Sequence, residues 1–220
     1  MDTLAHLPDF YGHHRTVTEQ TPVLTDGTPI PWMTYPAVSY LNQLDVSQKQ
    51  VFEYGCGNST RYWSQRCRKI VSVEHDADWF ARMKGANLAH AEIFHAEGRA
   101  YVEMVARDAP HDIIVIDGRW RFDCAVHCTE YLAPGGLVML DNSERYPAAT
   151  EFLRKKGLIQ VDMIGHGPMT RFISCTSLFL KRDFAFSPAK PLQPHHGPGM
   201  HDSIEAKPEH AAHNKAGGYG

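Results

Sequence analysis

The stretch EYGCGNST, residues 53–60, carries the strongest structural signal in this 220-residue chain. It follows a short β-branched and aromatic run and precedes a helix-like run. Its two glycines, Gly55 and Gly57, allow a tight turn and a close approach of a ligand to the backbone. Asn58 or Ser59 can cap the helix that follows, and the first amides of that helix then face the end of the strand. The stretch therefore predicts a strand, a turn and a helix that together bind a ligand.

The same unit repeats along the chain. Short apolar runs predict strands at residues 50–54, 70–74, 91–95, 112–116 and 137–140. Helix-like stretches lie at residues 59–67, 78–85, 99–107, 122–132 and 147–156. Strands that are apolar on both faces are typical of a parallel sheet covered by helices, so we predict an α/β fold with a doubly wound, Rossmann-like sheet. Ligands bind such sheets at the carboxyl ends of the strands.

Two further strands follow at about residues 159–164 and 174–181, joined by a loop too short for a crossover helix. We predict that they form an antiparallel pair at one edge of the otherwise parallel sheet. The domain is therefore expected to span residues 46–184.

The two ends of the chain have a different composition. Residues 1–45 are predicted to be an N-terminal arm, in which Trp32 and Tyr35 either close over a ligand or cover the sheet edge. Residues 185–220 are rich in His, Pro and Gly and poor in large apolar side chains, so we predict a disordered tail. The sequence does not predict a role for the histidines of this tail or an oligomeric state.

Composition narrows the expected partners. The 22 basic and 25 acidic side chains leave a net charge of −3, which gives no electrostatic reason to bind nucleic acid or an anionic membrane. No apolar run approaches the ~20 residues that span a bilayer, and the first residues lack an apolar signal segment, so a cytoplasmic protein is expected. The five cysteines are expected to be free thiols. A small-molecule partner is the remaining expectation.

The acid at the end of the second predicted strand indicates a nucleoside ligand. Glu74 follows Glu53 by about 20 residues, the spacing at which an acid meets a ribose diol in nucleotide-binding folds. A dinucleotide fingerprint would need glycine in place of Thr60, and Glu53 would repel a pyrophosphate. Because Glu53 would instead complement an α-amino group, S-adenosylmethionine is favoured over NAD.

Residues 53–60 resemble motif I of the class I S-adenosylmethionine-dependent methyltransferases. The two terminal strands resemble the antiparallel insertion of that fold, and the resemblance spans about residues 50–181. The turn EGRA at 97–100 is similar to the adenine-contacting turn of cation-dependent O-methyltransferases. IDG at 116–118 and LDN at 140–142 resemble the strand ends that hold Mg²⁺ in those enzymes.

The resemblance implies a set of site residues. The cofactor contacts that it implies are Glu53, Gly55, Cys56, Gly57, Asn58, Ser59, Glu74, His75, Glu97, Gly98 and Asp117. It also implies Mg²⁺ or a similar ion on Asp117, Asp141 and Asn142, which would lower the pKa of a substrate hydroxyl. The alternative for Asp141 and Asn142 is that they only cap the next segment.

The catalytic candidates are Asp117, Arg119 and His166. Catechol-type relatives have a lysine base three residues after the first metal ligand, where this chain has Trp120. Arginine does not act as a base at ordinary pH, so Arg119 and Arg121 are interpreted either as a clamp for an acidic substrate or as partners of nearby carboxylates. His166 lies between glycines, and the ordinary pKa of histidine suits proton transfer.

The predicted activity is transfer of a methyl group from S-adenosylmethionine to a small-molecule acceptor, with O-methylation favoured. Two alternatives stay open: an aminopropyl transferase of the same fold, and a non-catalytic regulatory protein that binds the cofactor without turnover. A short-chain oxidoreductase is not favoured, because no tyrosine is followed four residues later by lysine.

Overall fold

A seven-stranded sheet runs through the computed structural model, which describes residues 11–191. Its strands are β1 (Gln50–Tyr54), β2 (Lys69–Glu74), β3 (Ala91–His95), β4 (His111–Ile116), β5 (Leu132–Leu140), β6 (Ile159–Gly165) and β7 (Ser174–Leu180). They lie in the order β3-β2-β1-β4-β5-β7-β6. Strands β1 to β5 pair in parallel, whereas β7 is antiparallel to both β5 and β6. The predicted sheet and its antiparallel pair are confirmed, with β7 one place in from the edge that β6 forms.

Helices lie between the strands and before them. They are α1 (His13–Glu19), α2 (Tyr35–Leu41), α3 (Asn58–Ser64), α4 (Ala77–Gly85), α5 (Gly98–Glu103), α6 (Arg121–Cys128) and α7 (Pro147–Lys155). Short 3₁₀ turns follow α5, at Met104–Ala106, and β5, at Ser143–Arg145. Helix α1 was not predicted from the sequence. No helix in the described part of the chain is long and apolar enough to cross a membrane.

Both faces of the sheet are buried along β1, β2 and β4, as the apolar runs predicted, whereas the edge strand β6 exposes Ile159, Val161 and Ile164. Phe52 and Tyr54 of β1 pack in a cluster with residues of α5, α6 and α7. Val51, the residue before Phe52, packs on the other face with residues of α2 and α3. Cys124 and Cys128 lie in the first cluster, and all five cysteines are free, as predicted.

The start of β5 differs from the prediction. Residues 122–132 were predicted as one helix, and the next strand was predicted to begin at residue 137. In the structure α6 ends at Cys128 and the strand begins at Leu132. The pairing with β4 shifts register there, and Gly135 has a positive φ of 66°. Proline and glycine therefore lie in an irregular first part of β5, and they do not separate it from the preceding helix as a turn would.

The N-terminal arm forms hydrogen bonds with β6, β7 and the loop between them. Thr34 donates its backbone N–H to Thr176 Oγ1 at 3.2 Å and its hydroxyl to the Met163 carbonyl at 2.7 Å. Met33 beside it is buried in the core. Tyr35 donates its backbone N–H to the His166 carbonyl at 2.8 Å. Tyr35 is thus placed by the β6–β7 loop.

The first residues of the predicted tail contact the domain. Phe184 and Phe186 are partly buried against the core cluster on the α2 and α3 face, and Ser187 accepts a hydrogen bond from the Asp45 N–H at 2.8 Å. Ala189 donates to the Gln43 carbonyl at 2.8 Å. These contacts carry the ordered domain past residue 184. The rest of the predicted tail, residues 192–220, lies outside the described residues.

A truncation series tests where the domain ends. A chain ending at residue 183 is expected to lose about 2 kcal/mol of unfolding free energy, because two half-buried phenylalanines are removed. A chain ending at residue 191 should keep the melting temperature of the full chain. Thermal unfolding of the three chains compares them, and equal melting temperatures for all three would contradict the prediction.

Candidate cofactor and acceptor site

The glycine turn, residues 55–57, follows β1 and lies against the turn that follows β4. Gly55 has a φ of 91°, and a Cβ at this position would lie 3.1 Å from the Gly118 Cα. Glycine is therefore required at residue 55 both by its backbone angle and by the close approach of the two turns. A Cβ at Gly57 would meet only the Trp79 ring, at 3.9 Å. The turn consequently presents open backbone at the carboxyl end of β1.

The helix after the turn is capped differently from the prediction. Gly57 is the residue before α3, and its N–H donates to Thr60 Oγ1 at 2.9 Å. Asn58, one of the two residues expected to cap the helix, is instead its first residue. The Asn58 amide donates to the Pro22 and Ile30 carbonyls and so fastens the arm. The Thr60 side chain provides the cap because it lies one helical turn beyond Gly57 and reaches back to it.

Glu53 lies fully buried behind the turn. Its Oε2 accepts hydrogen bonds from the hydroxyls of Thr60 at 2.6 Å and Ser72 at 2.9 Å. Its Oε1 has no hydrogen-bond partner among residues 11–191. Burial raises the pKa of Glu53 to about 7, against the opposing effect of the hydrogen bonds from Thr60 and Ser72. The Glu53 carboxyl group is therefore held in place directly behind the turn by the hydroxyls of Thr60 and Ser72.

Glu74 connects the end of β2 to the glycine turn. Its Oε2 accepts the Cys56 N–H at 3.0 Å, and its Oε1 accepts the N–H groups of His75 and Asp76 at 2.8 and 3.0 Å. His75 Nδ1 also lies 2.8 Å from Oε1. The carboxylate is buried, at the place where the two strand ends meet. Glu74 thus combines an acceptor group with a fixed position beside the turn.

Aromatic rings surround this turn. The Trp120 ring lies edge-on to His75, with centroids 6.0 Å apart, and to Tyr101 at 5.3 Å. On the other side, Trp79 Nε1 donates to the Cys56 carbonyl at 2.6 Å. Sequence reasoning identified His75 and Trp120 but missed Tyr101 and Trp79. The available signal for Trp79 was Asp76, which caps α4 through the Trp79 N–H and so places that ring at the start of the helix.

The turn that was predicted to contact adenine, residues 97–100, follows β3, the edge strand beside β2. Glu97 immediately precedes α5, and its side chain is largely exposed. Gly98 follows with a positive φ of 54°. His95, the last residue of β3, lies within 3.1 Å of the His75 carbonyl through its Nε2. The turn at Glu97 and Gly98 is therefore adjacent to the end of β2.

Asp117 and Asp141 follow the neighbouring strands β4 and β5, and Arg121 of α6 lies between them. Its guanidinium donates to Asp117 Oδ1 at 2.9 Å and to the backbone carbonyls of Gly118 and Asp117, both at 3.0 Å. It also donates to the Asp141 carbonyl and, at 3.4 Å, to Asn142 Oδ1. Only 10% of the Arg121 side chain is exposed. Of the two roles weighed for Arg121, the structure shows the partner of nearby carboxylates.

The predicted metal ligands are together, but their surroundings do not fit Mg²⁺. Asp117 and Asn142 already accept hydrogen bonds from Arg121, and Asp141 Oδ1 accepts one from the Thr176 hydroxyl at 2.6 Å. A divalent ion in contact with these oxygens would lie beside a buried guanidinium and be repelled by it. Within residues 11–191 no group of three or more His, Cys, Asp or Glu side chains is arranged to hold a metal. The cation at these strand ends is Arg121.

The two aspartates have raised pKa values. Burial is the main cause for Asp117, and the negative charge of Asp141 adds to it, while Arg121 opposes the shift. Burial also raises the pKa of Asp141, against the hydrogen bond from Thr176 and the charge of Arg121. Both carboxyl groups therefore hold a proton more readily than an exposed aspartate.

A cavity of about 290 Å³ opens beside these carboxyl groups. Its lining comes from the arm, the ends of β4 and β5, and the β6–β7 loop, namely Trp32, Met33, Asp117, Asp141, Asn142, Arg145, Gly167, Thr170, Phe172 and Ser174. Of the three catalytic candidates, only Asp117 lines this cavity. Arg119 and His166 are exposed. Trp32 lines the cavity and Tyr35 does not, so the two arm aromatics that sequence reasoning grouped have different positions.

Comparisons with known proteins support the fold. No protein-family model matches the sequence, and no curated protein matches it. A precorrin-6y C5,15-methyltransferase from Geobacter metallireducens is 15% identical, with a TM-score of 0.51 over 66% of this chain and 88% of that chain. A methyltransferase-like protein from Silicibacter pomeroyi is 18% identical, with a TM-score of 0.48 over 69% of this chain and 89% of its own. Spermidine synthase from Thermotoga maritima is 16% identical, with a TM-score of 0.48 over 68% of this chain and 60% of that chain.

The first of these likenesses supports the fold described above, a mostly parallel seven-stranded sheet with an antiparallel β7. The resemblance inferred from residues 53–60 and the topology of the whole sheet thus lead to the same architecture. The chain has the fold of the class I S-adenosylmethionine-dependent methyltransferases.

Proposed function

We propose that the protein transfers the methyl group of S-adenosylmethionine to a small-molecule acceptor. One observation carries the proposal: the open glycine turn, the buried acceptor Glu74 and the cavity lined by Asp117 lie at the carboxyl ends of adjacent strands in one sheet. A cofactor and an acceptor bound at these places would be neighbours. Holding two reactants in contact can supply about 7–11 kcal/mol of the barrier reduction without further chemical groups.

The residues around the turn fit the parts of this cofactor. Gly55 and Gly57 leave room for its amino-acid portion, with the charge of Glu53 behind them. Glu74 would accept hydrogen bonds from the ribose hydroxyls. The rings of His75 and Trp120 offer flat surfaces to adenine. When bound, the cofactor would supply an electrophilic methyl group.

The acceptor atom is not assigned by this fit. Oxygen was the expected acceptor because Asp117, Asp141 and Asn142 resemble magnesium ligands, and Arg121 removes that reason. Aminopropyl transfer and cofactor binding without turnover stay as outcomes of the experiments. A protein that prefers decarboxylated S-adenosylmethionine, or that binds S-adenosylmethionine and methylates no member of a broad acceptor panel, would fit those alternatives.

Calorimetry of S-adenosylmethionine binding is the direct test, and Glu74→Ala is its informative variant. The variant is expected to bind the cofactor about 1–3 kcal/mol more weakly, because ribose hydroxyls would be left without their acceptor. Glu130→Ala, which removes an exposed acid of the segment after α6, is the control and should bind as the native protein does. Native protein that binds NAD and not S-adenosylmethionine would overturn the proposed function.

Methyl transfer is expected not to depend on a divalent cation. EDTA should leave the rate unchanged, and added Mg²⁺ should not raise it, because Arg121 already occupies the space between the strand-end oxygens. The rate is measured with an acceptor found in the panel, before and after chelation. A rate that falls on chelation and returns with Mg²⁺ would show that Arg121 moves aside for a metal.

A further inference from the structure

We propose that the cavity beside Asp117 and Asp141 accepts a cationic amine with an apolar body, so that the methylated atom is nitrogen. This inference rests on the proposed function and names its acceptor class. It depends on the charge of the cavity floor, on the character of the cavity walls and on the chemistry available at Asp117.

The floor of the cavity is negative on balance. Asp117 and Asp141 line it, and 26% of the Asp117 side chain is exposed. Arg121, which lies between them, balances only one of these two carboxylates and does not line the cavity. Arg145 lies at the rim, where it pairs with Glu144 at 3.4 Å. When both aspartates are ionised, one negative charge remains, and a ligand with one positive charge neutralises it.

The walls suit a cation that carries an apolar group. Trp32 of the arm is 49% exposed and Phe172 of the β6–β7 loop is 52% exposed, although both are large aromatic residues. Both rings line the cavity. The Arg145 guanidinium already lies over the Phe172 ring, 5.3 Å from its centroid, so Phe172 offers mainly apolar surface. The face of the Trp32 ring is left to attract a cation. An anionic acceptor would find two carboxylates on the floor and only the rim Arg145, already paired with Glu144, to receive it.

The floor also provides a destination for the proton that an amine must lose. An ammonium group transfers one proton to the Asp117 carboxylate, which becomes a neutral carboxyl group. The freed lone pair on nitrogen forms the bond to the methyl carbon, the bond from that carbon to sulfur breaks, and its electron pair stays on sulfur. Asp117 can receive this proton because it lines the cavity and 26% of its side chain is exposed.

Three matched probes test the acceptor class: phenethylamine, 2-phenylethanol and phenylacetate, each measured by calorimetry with and without saturating S-adenosylhomocysteine. Phenethylamine is expected to bind about tenfold more tightly than 2-phenylethanol. Phenylacetate should bind most weakly. In Asp117→Asn the preference for the amine over the alcohol should disappear. Asp123→Asn, which changes an exposed acid on α6 outside the cavity, is the control and should keep the preference.

A second variant guards against misfolding of Asp117→Asn. Trp32→Leu keeps an apolar side chain at an exposed position, and it should weaken amine binding more than alcohol binding. Equal affinities for amine and alcohol in the native protein, tighter binding of phenylacetate, or binding of none of the three would overturn the inference. If S-adenosylhomocysteine does not bind but the preference for the amine remains, the proposed cofactor is wrong and the proposed acceptor class stands.

Discussion

Arg121→Met should destabilise the fold by about 3 kcal/mol, the lower end of the range for breaking a buried ion pair. The guanidinium is nine-tenths buried and makes hydrogen bonds to three backbone carbonyls and to Asp117 Oδ1. Methionine has similar length and fills the space, but it leaves these acceptors unpaired and leaves Asp117 beside Asp141 without a positive charge. The two carboxyl groups would respond by holding protons more tightly.

Urea unfolding of native and variant protein measures the loss. The control is Arg99→Met, which removes an arginine on α5 whose side chain is 89% exposed and pairs only with Glu103 in the described structure. Such a surface pair contributes under about 1 kcal/mol. If the Arg121 variant unfolds at the same urea concentration as the Arg99 variant, Arg121 is not the internal cation of the strand ends.

The sheet was predictable from the sequence because its signal is local. The runs at β1, β2 and β4 are apolar on both faces and are each followed by a helix-like stretch, which few architectures other than a doubly wound sheet satisfy. Glycine spacing at Gly55 and Gly57 and the position of Glu74 likewise depend on neighbouring residues only. The start of β5 was not predictable in this way. Proline and glycine usually end a helix or strand, but here they lie inside a strand that pairs with β4.

The positive group that lies between the ends of β4 and β5 was not predictable from the sequence. The order of residues shows that Asp117, Asp141 and Asn142 meet, and these oxygens suit a metal as well as a guanidinium. Which cation they receive depends on the path of the chain after Asp117. Trp120 takes a left-handed conformation with φ 48°, and α6 begins at the next residue. That turn brings Arg121 back over the end of β4, a tertiary outcome that the motif does not encode.

Glu53 is expected to make the protein less stable as the pH rises from about 4.5 to about 7. Its pKa is about 7 in the folded protein against the ordinary 4.5, so the folded state binds a proton in this interval that the unfolded state has lost. The difference corresponds to about 3 kcal/mol of unfolding free energy lost across the interval. Asp117 and Asp141 act in the same direction, since their pKa values are also raised.

Urea unfolding between pH 5 and pH 8 measures this slope. Glu53→Gln should flatten it without removing it, because the two aspartates still titrate. Glu130→Gln changes an exposed acid and should keep the native slope. If the native slope survives in Glu53→Gln, the buried proton is not on Glu53.

The same proton couples Glu53 to the cofactor under the proposed function. A positively charged amino group at the glycine turn favours the ionised form of Glu53, so binding of S-adenosylmethionine should lower the pKa of Glu53 and release a proton near pH 7. By reciprocity, the native protein should bind the cofactor more tightly at pH 8 than at pH 6, by roughly 1 kcal/mol. Calorimetry in two buffers of different ionisation enthalpy measures the released proton directly. Glu53→Gln should bind without that release, and a variant that still releases the proton would place it on a group other than Glu53.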